Sequence, residues 1–250
     1  MTTLLSLKGL SVRGRERLLV DRIDVTVEAR KITALVGPSG VGKTLTARAM
    51  LGVVDVRPGL VGGTLRFPEV DPARDWYEGT IGRGAAGARV LEERTRALRG
   101  SYVTYAPQAA SSALNPGRTI GRQLALAMQR RRGTLSTSIA DLLERVGLER
   151  STAALLPGEM SGGMCQRAAL AVALAPDPRI LVADEPETGL DPVLRRAIVE
   201  LMAESVRALG SGLVLISHHE DTVARIADDV VRFDGAGSRG EDTVTQVVLS

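Results

Sequence analysis

Two hundred and fifty residues are enough for one sizeable domain or two small ones, and a composition of 44% hydrophobic and 24% charged residues excludes an intrinsically disordered chain. The net charge of +3 is spread along the sequence and aromatics make up 2%, so neither a clustered basic face nor a base-stacking platform is expected, and nucleic acid is not an expected partner. No apolar run approaches the roughly 18 residues that cross a bilayer, no secretory signal is visible, and the single cysteine, Cys165, excludes an intramolecular disulfide framework and a multi-thiolate zinc site. A cytoplasmic protein is expected.

In chain order, strands are expected at 4–12 and 23–27. Ile32–Val36 is a short β-branched apolar run closed by glycine, the pattern of a buried parallel strand. A helix follows over 43–51. Residues 57–88 are crowded with glycine and proline and lack periodicity; a surface excursion or a small antiparallel hairpin is expected there. A charged amphipathic helix at 89–98 precedes a strand at 101–105. Helices are expected at 120–131 and 138–146, with Gly147 as a C-terminal cap, and at 162–175, where Pro176 stops the helix. Strands at 180–183, 213–217 and 230–233 alternate with helices at 192–209 and 220–227. A last strand is expected at 244–249. Strands alternating with crossover helices imply an α/β fold around a parallel sheet.

Gly37-Pro38-Ser39-Gly40-Val41-Gly42-Lys43-Thr44 fits G-x-x-x-x-G-K-[ST], with a buried strand before it and a helix after it. The glycines let the backbone curl so that its N–H groups face an anion, and the helix N-terminus adds partial positive charge. Lys43 can reach β- and γ-phosphates, and the Thr44 hydroxyl can coordinate Mg²⁺. Farther along, Ile180-Leu181-Val182-Ala183-Asp184-Glu185-Pro186 is an apolar strand delivering two carboxylates at its C-terminal end, where sheets of this type bind ligands. Asp184 suits Mg²⁺, and Glu185 suits polarisation of an attacking water as general base. Standing alone, the acids also read as a helix-start cap.

Between these motifs lies Met160-Ser161-Gly162-Gly163-Met164-Cys165-Gln166-Arg167, in which Ser161-Gly162-Gly163 by itself reads as a helix N-cap. In this order the motifs resemble the ATP-binding-cassette (ABC) ATPases. Gln108 then falls where the family's Q-loop glutamine does, Gly189-Leu190-Asp191 resembles its D-loop, and His218 resembles its switch histidine. The flanks Leu98-Arg99-Gly100, Ala113-Leu114-Asn115-Pro116 and Pro157-Gly158-Glu159 look like the peptide/nickel importer branch.

The resemblance implies a P-loop NTPase fold: a RecA-like parallel-sheet core, an N-terminal antiparallel β subdomain and a helical subdomain. One domain over 1–250 is expected, with the core and β subdomain at about 1–117 and 164–235, the helical part at about 118–163 and a tail at 236–250. It implies ATP and Mg²⁺ as cofactors, with nucleotide contacts from Gly37, Ser39, Gly40, Gly42, Lys43, Thr44 and Leu45, and Mg²⁺ held by Thr44, Gln108 and Asp184. Two subunits, identical or different, would close over two ATP molecules, each lying between one chain's phosphate loop and the other's Ser161-Gly162-Gly163. Glu185, His218 and Gln108 would be catalytic, and Asp191 would link the two sites. Two membrane permease subunits and an extracytoplasmic solute-binding protein are the implied partners, with the chain peripheral on the cytoplasmic face of the membrane. A role in a soluble complex, such as one degrading phosphonates, is the alternative.

Three positions depart from the family pattern. The adenine-stacking aromatic expected near residues 11–15 is missing, since the stretch reads Ser11-Val12-Arg13-Gly14-Arg15, and an arginine guanidinium can stack instead. Glu187 stands where threonine is usual, and His219 where aspartate usually follows the switch histidine.

Overall fold

The computed structural model describes residues 2–108, 113–131 and 137–234. The expected strand at 244–249 and the tail at 236–250 lie outside the described residues.

Two sheets organise the chain. Strands β1 (Thr3–Arg13), β2 (Leu18–Glu28) and β4 (Gly59–Arg66) form an antiparallel sheet in the order β2-β1-β4. Strands β3 (Ile32–Val36), β5 (Val103–Ala106), β6 (Ile180–Asp184), β7 (Gly212–Ser217) and β8 (Asp229–Arg232) form a second sheet in the order β5-β6-β7-β3-β8, with every pairing parallel.

The central strands are buried on both faces, which is why they read as unbroken apolar runs rather than alternating ones. Side chains still alternate. Ile180, Val182, Val214 and Ile216 join a core with Leu5, Leu7, Val27 and the helix α1 (Lys43–Met50), beneath the antiparallel sheet. Leu181, Ala183, Leu213 and Leu215 face the other way, onto a helical layer. That layer comprises α3 (Ile120–Met128), α4 (Ile139–Arg145), α5 (Gly162–Leu174) and α6 (Pro192–Leu209). Two further α-helices among the described residues are α2 (Gly84–Thr95) and α7 (Glu220–Ile226).

Residues 57–88 correct the sequence expectation. Strand β4 pairs with β1, Leu65 opposite Leu7, so it completes a sheet instead of folding into a hairpin of its own. Gly63 adopts φ 113°, and a Cβ there would lie 2.9 Å from the Cα of Leu10. The glycines that hide the strand in the sequence are what let it approach β1. Nor is the stretch a surface excursion. Phe67 and Trp76 are buried and meet edge to face at 5.6 Å, and Phe67 meets Tyr102 likewise at 5.7 Å. Such pairs add about 0.5–1.5 kcal/mol each beyond area burial.

Candidate functional site

The strand order brings the motifs together. β7 lies between β3 and β6, with Val36 paired to Ser217 and Ile216 to Asp184. The loop after β3, the histidine after β7 and the acids ending β6 therefore emerge side by side at the C-terminal edge of the sheet. Ligands bind at that edge in parallel α/β folds.

The phosphate loop leads directly into α1. Its N-cap is Gly42 at φ 105°, with no side-chain cap and no acidic residue in the first turn. A helix start left this way keeps unpaired N–H groups and an uncompensated positive dipole end, both suited to an anion. A Cβ on Gly37 would collide with the carbonyl of Phe233, so the first glycine is required where the loop passes β8. Lys43 is 5% exposed and donates from Nζ to the carbonyls of Gly37 and Pro38, each at 2.7 Å. Burial lowers its ammonium pKa, while Glu185 and Asp184 oppose the shift.

Asp184 is engaged through both oxygens. Thr44 donates to Oδ1 at 3.2 Å and the Tyr105 hydroxyl to Oδ2 at 2.5 Å. Burial, then the bond to Asp184, pushes the Tyr105 phenol pKa well up, so it stays a donor. Gln108, the third residue expected at the metal, lies beside Glu185, to which its amide nitrogen donates, and the Thr44 hydroxyl and Asp184 carboxylate form a hard oxygen pair. This set fits Mg²⁺, which takes few protein ligands alongside phosphate oxygens and water. Among the described residues no group of three His, Cys, Asp or Glu side chains is placed to form an all-protein metal cage.

Glu185 holds a left-handed backbone at φ 45°, uncommon for a residue with a side chain and met where function constrains it. Its amide donates to the Ile216 carbonyl at 3.0 Å. Around its Oε2 gather Gln108 Nε2 at 3.0 Å, the Thr188 hydroxyl at 3.4 Å and His218 Nδ1 at 3.7 Å. A carboxylate, an amide and an imidazole thus converge beside the phosphate loop, an arrangement able to bind and polarise a water.

Below this ring sits a buried acid. Glu187 is 0% exposed, its Oε1 accepts from the Ser217 hydroxyl, and its Oε2 has no hydrogen-bond partner. Burial raises its carboxyl pKa. Ser217 Oγ also accepts from the His219 amide at 3.0 Å, and His219 Nδ1 lies 3.2 Å from Arg195 Nη1.

The sequence-selected residues thus fall at the sheet edge and at the starts of two helices. Lys43, Thr44, Gln108, Asp184, Glu185 and His218 meet at the sheet edge. Ser161 is exposed at the start of α5, where its hydroxyl accepts from the Met164 amide at 3.3 Å, and Asp191 is exposed at the start of α6, accepting from Val193 and Leu194. Added Cβ atoms on Gly162 or Gly163 would meet open space. Among the described residues, no hydrogen bond or ion pair joins Ser161 or Asp191 to the phosphate loop. Sequence reasoning missed Tyr105, Thr188 and Ser217. The available signal was positional, since Ser217 ends β7 and Tyr105 lies on β5 beside β6.

The ABC transporter family model matches residues 20–188. A peptide import ATP-binding protein of Brucella ovis is 34% identical over 91% of this chain and 68% of its own length. The nickel import ATP-binding protein NikD of Brucella abortus is 35% identical over 92% of this chain and 83% of its own. The dipeptide transport ATP-binding protein DppD of Escherichia coli is 32% identical over 85% and 62%. Among solved structures, cbiO1 from Clostridium perfringens, part of the transporter complex cbiONQ, superimposes with a TM-score of 0.72 at 20% identity, covering 94% of this chain and 86% of the other. A dimeric ATP-binding cassette bound to ADP and Pi in a post-hydrolysis state gives 0.71 at 20% identity, covering 95% and 97%. With the whole phosphate loop and the acidic strand inside the matched span, the chain belongs to the ABC transporter family and is an ATPase.

Proposed function

We propose that this chain is the ATP-hydrolysing subunit of an importer that carries a peptide, nickel or a metal–metallophore complex through partner permeases. The observation that carries the reading is the convergence of Lys43, Thr44, Asp184, Glu185, Gln108 and His218 at one sheet edge, with Ser161-Gly162-Gly163 left exposed elsewhere. The relatives' names, which specify peptide, nickel and dipeptide import, support the cargo class.

In this reading the loop from Gly37 through Leu45 cradles the phosphates on its amides. Lys43 leaves the Gly37 and Pro38 carbonyls to neutralise β- and γ-oxygens. Thr44, Asp184 and Gln108 hold Mg²⁺, which when bound offsets charge on the phosphate oxygens. Glu185 takes a proton from the attacking water as the new O–P bond forms on the γ-phosphorus and the bond to the β-phosphate oxygen breaks. Gln108 and His218 hold that water and the γ-phosphate against Glu185. Ser161, Gly162 and Gly163 bind the γ-phosphate on a second subunit, and Asp191 links the two sites. Hydrolysis then waits on closure of the pair.

No helix among the described residues is long and apolar enough to cross a membrane. The transport path is therefore assigned to two permease subunits, fed by an extracytoplasmic solute-binding protein, with this chain peripheral on the cytoplasmic face. Co-purification and ATPase assay of the assembled complex test the proposal. Permeases should co-purify, and Glu185→Gln and Lys43→Ala should each lower turnover by about 10²-fold or more. Unchanged turnover in both variants, or soluble enzymes as the sole companions, would reject it.

A further inference from the structure

A pocket of about 520 Å³ opens beside the phosphate loop. Leu19 joins the two: it lines the pocket, and its carbonyl lies 2.8 Å from where a Cβ on Gly42 would sit. A nucleotide whose phosphates rest on the loop therefore has this space next to it for its ribose and base, and the volume falls in the usual range for small-molecule sites.

The walls are unusual for a base site. At Gly14 there is no side chain, and Leu19 covers the backbone, its Cδ1 and Cγ 3.2 Å from where a Cβ on Gly14 would lie. None of the chain's six aromatic residues (one Trp, three Tyr and two Phe) lines the pocket. The rim instead carries three exposed guanidinium groups, those of Arg15, Arg17 and Arg57. Among the described residues these three side chains have no hydrogen bond or ion pair, and neither has the neighbouring Glu16 carboxylate. Asp55, also at the pocket, is engaged by Arg48 at 2.8 Å.

We propose that the base is held between Leu19 and the guanidinium groups of Arg15, Arg17 and Arg57, and that the site consequently accepts GTP about as well as ATP. This rests on the reading of the phosphate loop given above. A planar guanidinium stacks on either purine. Its N–H groups match the O6 and N7 acceptors of guanine, while the Glu16 carboxylate can accept from the exocyclic amine of adenine or guanine. The pocket thus offers partners to both purines and sets no barrier against either.

The test is competition of ATP, GTP and tripolyphosphate against a fluorescent nucleotide on the full chain, in wild type, Arg15→Ala, Arg17→Ala, Arg57→Ala and Lys43→Ala. ATP and GTP should bind within about fivefold of each other. At least one arginine variant should weaken both by about three- to tenfold and leave tripolyphosphate unchanged, because the lost contact is to the nucleoside. A preference for ATP above fivefold would overturn the proposal. So would arginine variants that leave both nucleotides unaffected, or that weaken tripolyphosphate equally. Lys43→Ala reports separately on the loop: it should weaken all three ligands, tripolyphosphate included. If it weakens none of them, the phosphate-loop reading itself fails, and this proposal with it.

Discussion

Glu187 shows how one side chain can load a site without touching substrate. Its carboxyl is fully buried, bonded to Ser217, and has one oxygen with no partner. Burial favours the neutral form, so its native pKa stands above the ordinary value. The native state then binds this proton more tightly than the unfolded chain does. The associated stability is full below the unfolded pKa of about 4.3 and is lost as pH rises through the native value. Glu187→Gln keeps the bond to Ser217 and removes the titration. Its melting temperature should exceed wild type by about 2–4 °C at pH 8, with the gap closing toward pH 5. A gap that is the same at both pH values would show that the buried carboxyl is not the cause.

Among the elements, the antiparallel sheet depends on a strand with few features of a strand. β4 reads Gly-Leu-Val-Gly-Gly-Thr-Leu-Arg, and its glycine at position 63 lets it cross close over Leu10. Gly63→Val requires a β-branched residue at φ 113° and a Cβ 2.9 Å from that Cα. It should cost about 2–4 kcal/mol in chemical unfolding, and a loss below about 0.5 kcal/mol would show that the crossing is not tight. The same strand marks the limit of what the sequence makes legible. β3, β6 and β7 announce themselves because burial on both faces demands continuous apolar residues. β4 has register shifts against β1 and lacks alternation, so its pairing is visible only in three dimensions. The site divides in the same way. Lys43, Thr44, Asp184 and Glu185 follow from local strand–loop–helix patterns, and Gln108 and His218 from motif order. Tyr105 and Ser217 reach the site through the parallel pairing of β5 with β6 and β7 with β3, which no local pattern encodes.

For the molecule as a whole, the residues singled out in the sequence are not all gathered at one place. The sheet edge carries Lys43, Thr44, Asp184, Glu185, Gln108 and His218, while Ser161 caps α5 and Asp191 caps α6. Near Asp191, Val193 is 77% exposed and Leu194 41%, apolar side chains that a docked subunit would cover. If a second subunit brings its own signature to this sheet edge, γ-phosphate binds the closed pair through contacts that the open one lacks. Shifting such an equilibrium from 1:99 to 99:1 takes about 5.5 kcal/mol of differential affinity. Two γ-phosphates, each gaining charge-assisted hydrogen bonds from the opposite subunit, fall within that range.

The most direct measurement is the structure of the assembled complex carrying Glu185→Gln, trapped with ATP and Mg²⁺. The predicted result is a triphosphate held by Lys43 and Thr44 of one subunit and capped by the signature serine of the other, with Ser161 of this chain on its partner's nucleotide. Nucleotide contacted within single subunits alone, with Ser161 left in solvent, would contradict the account.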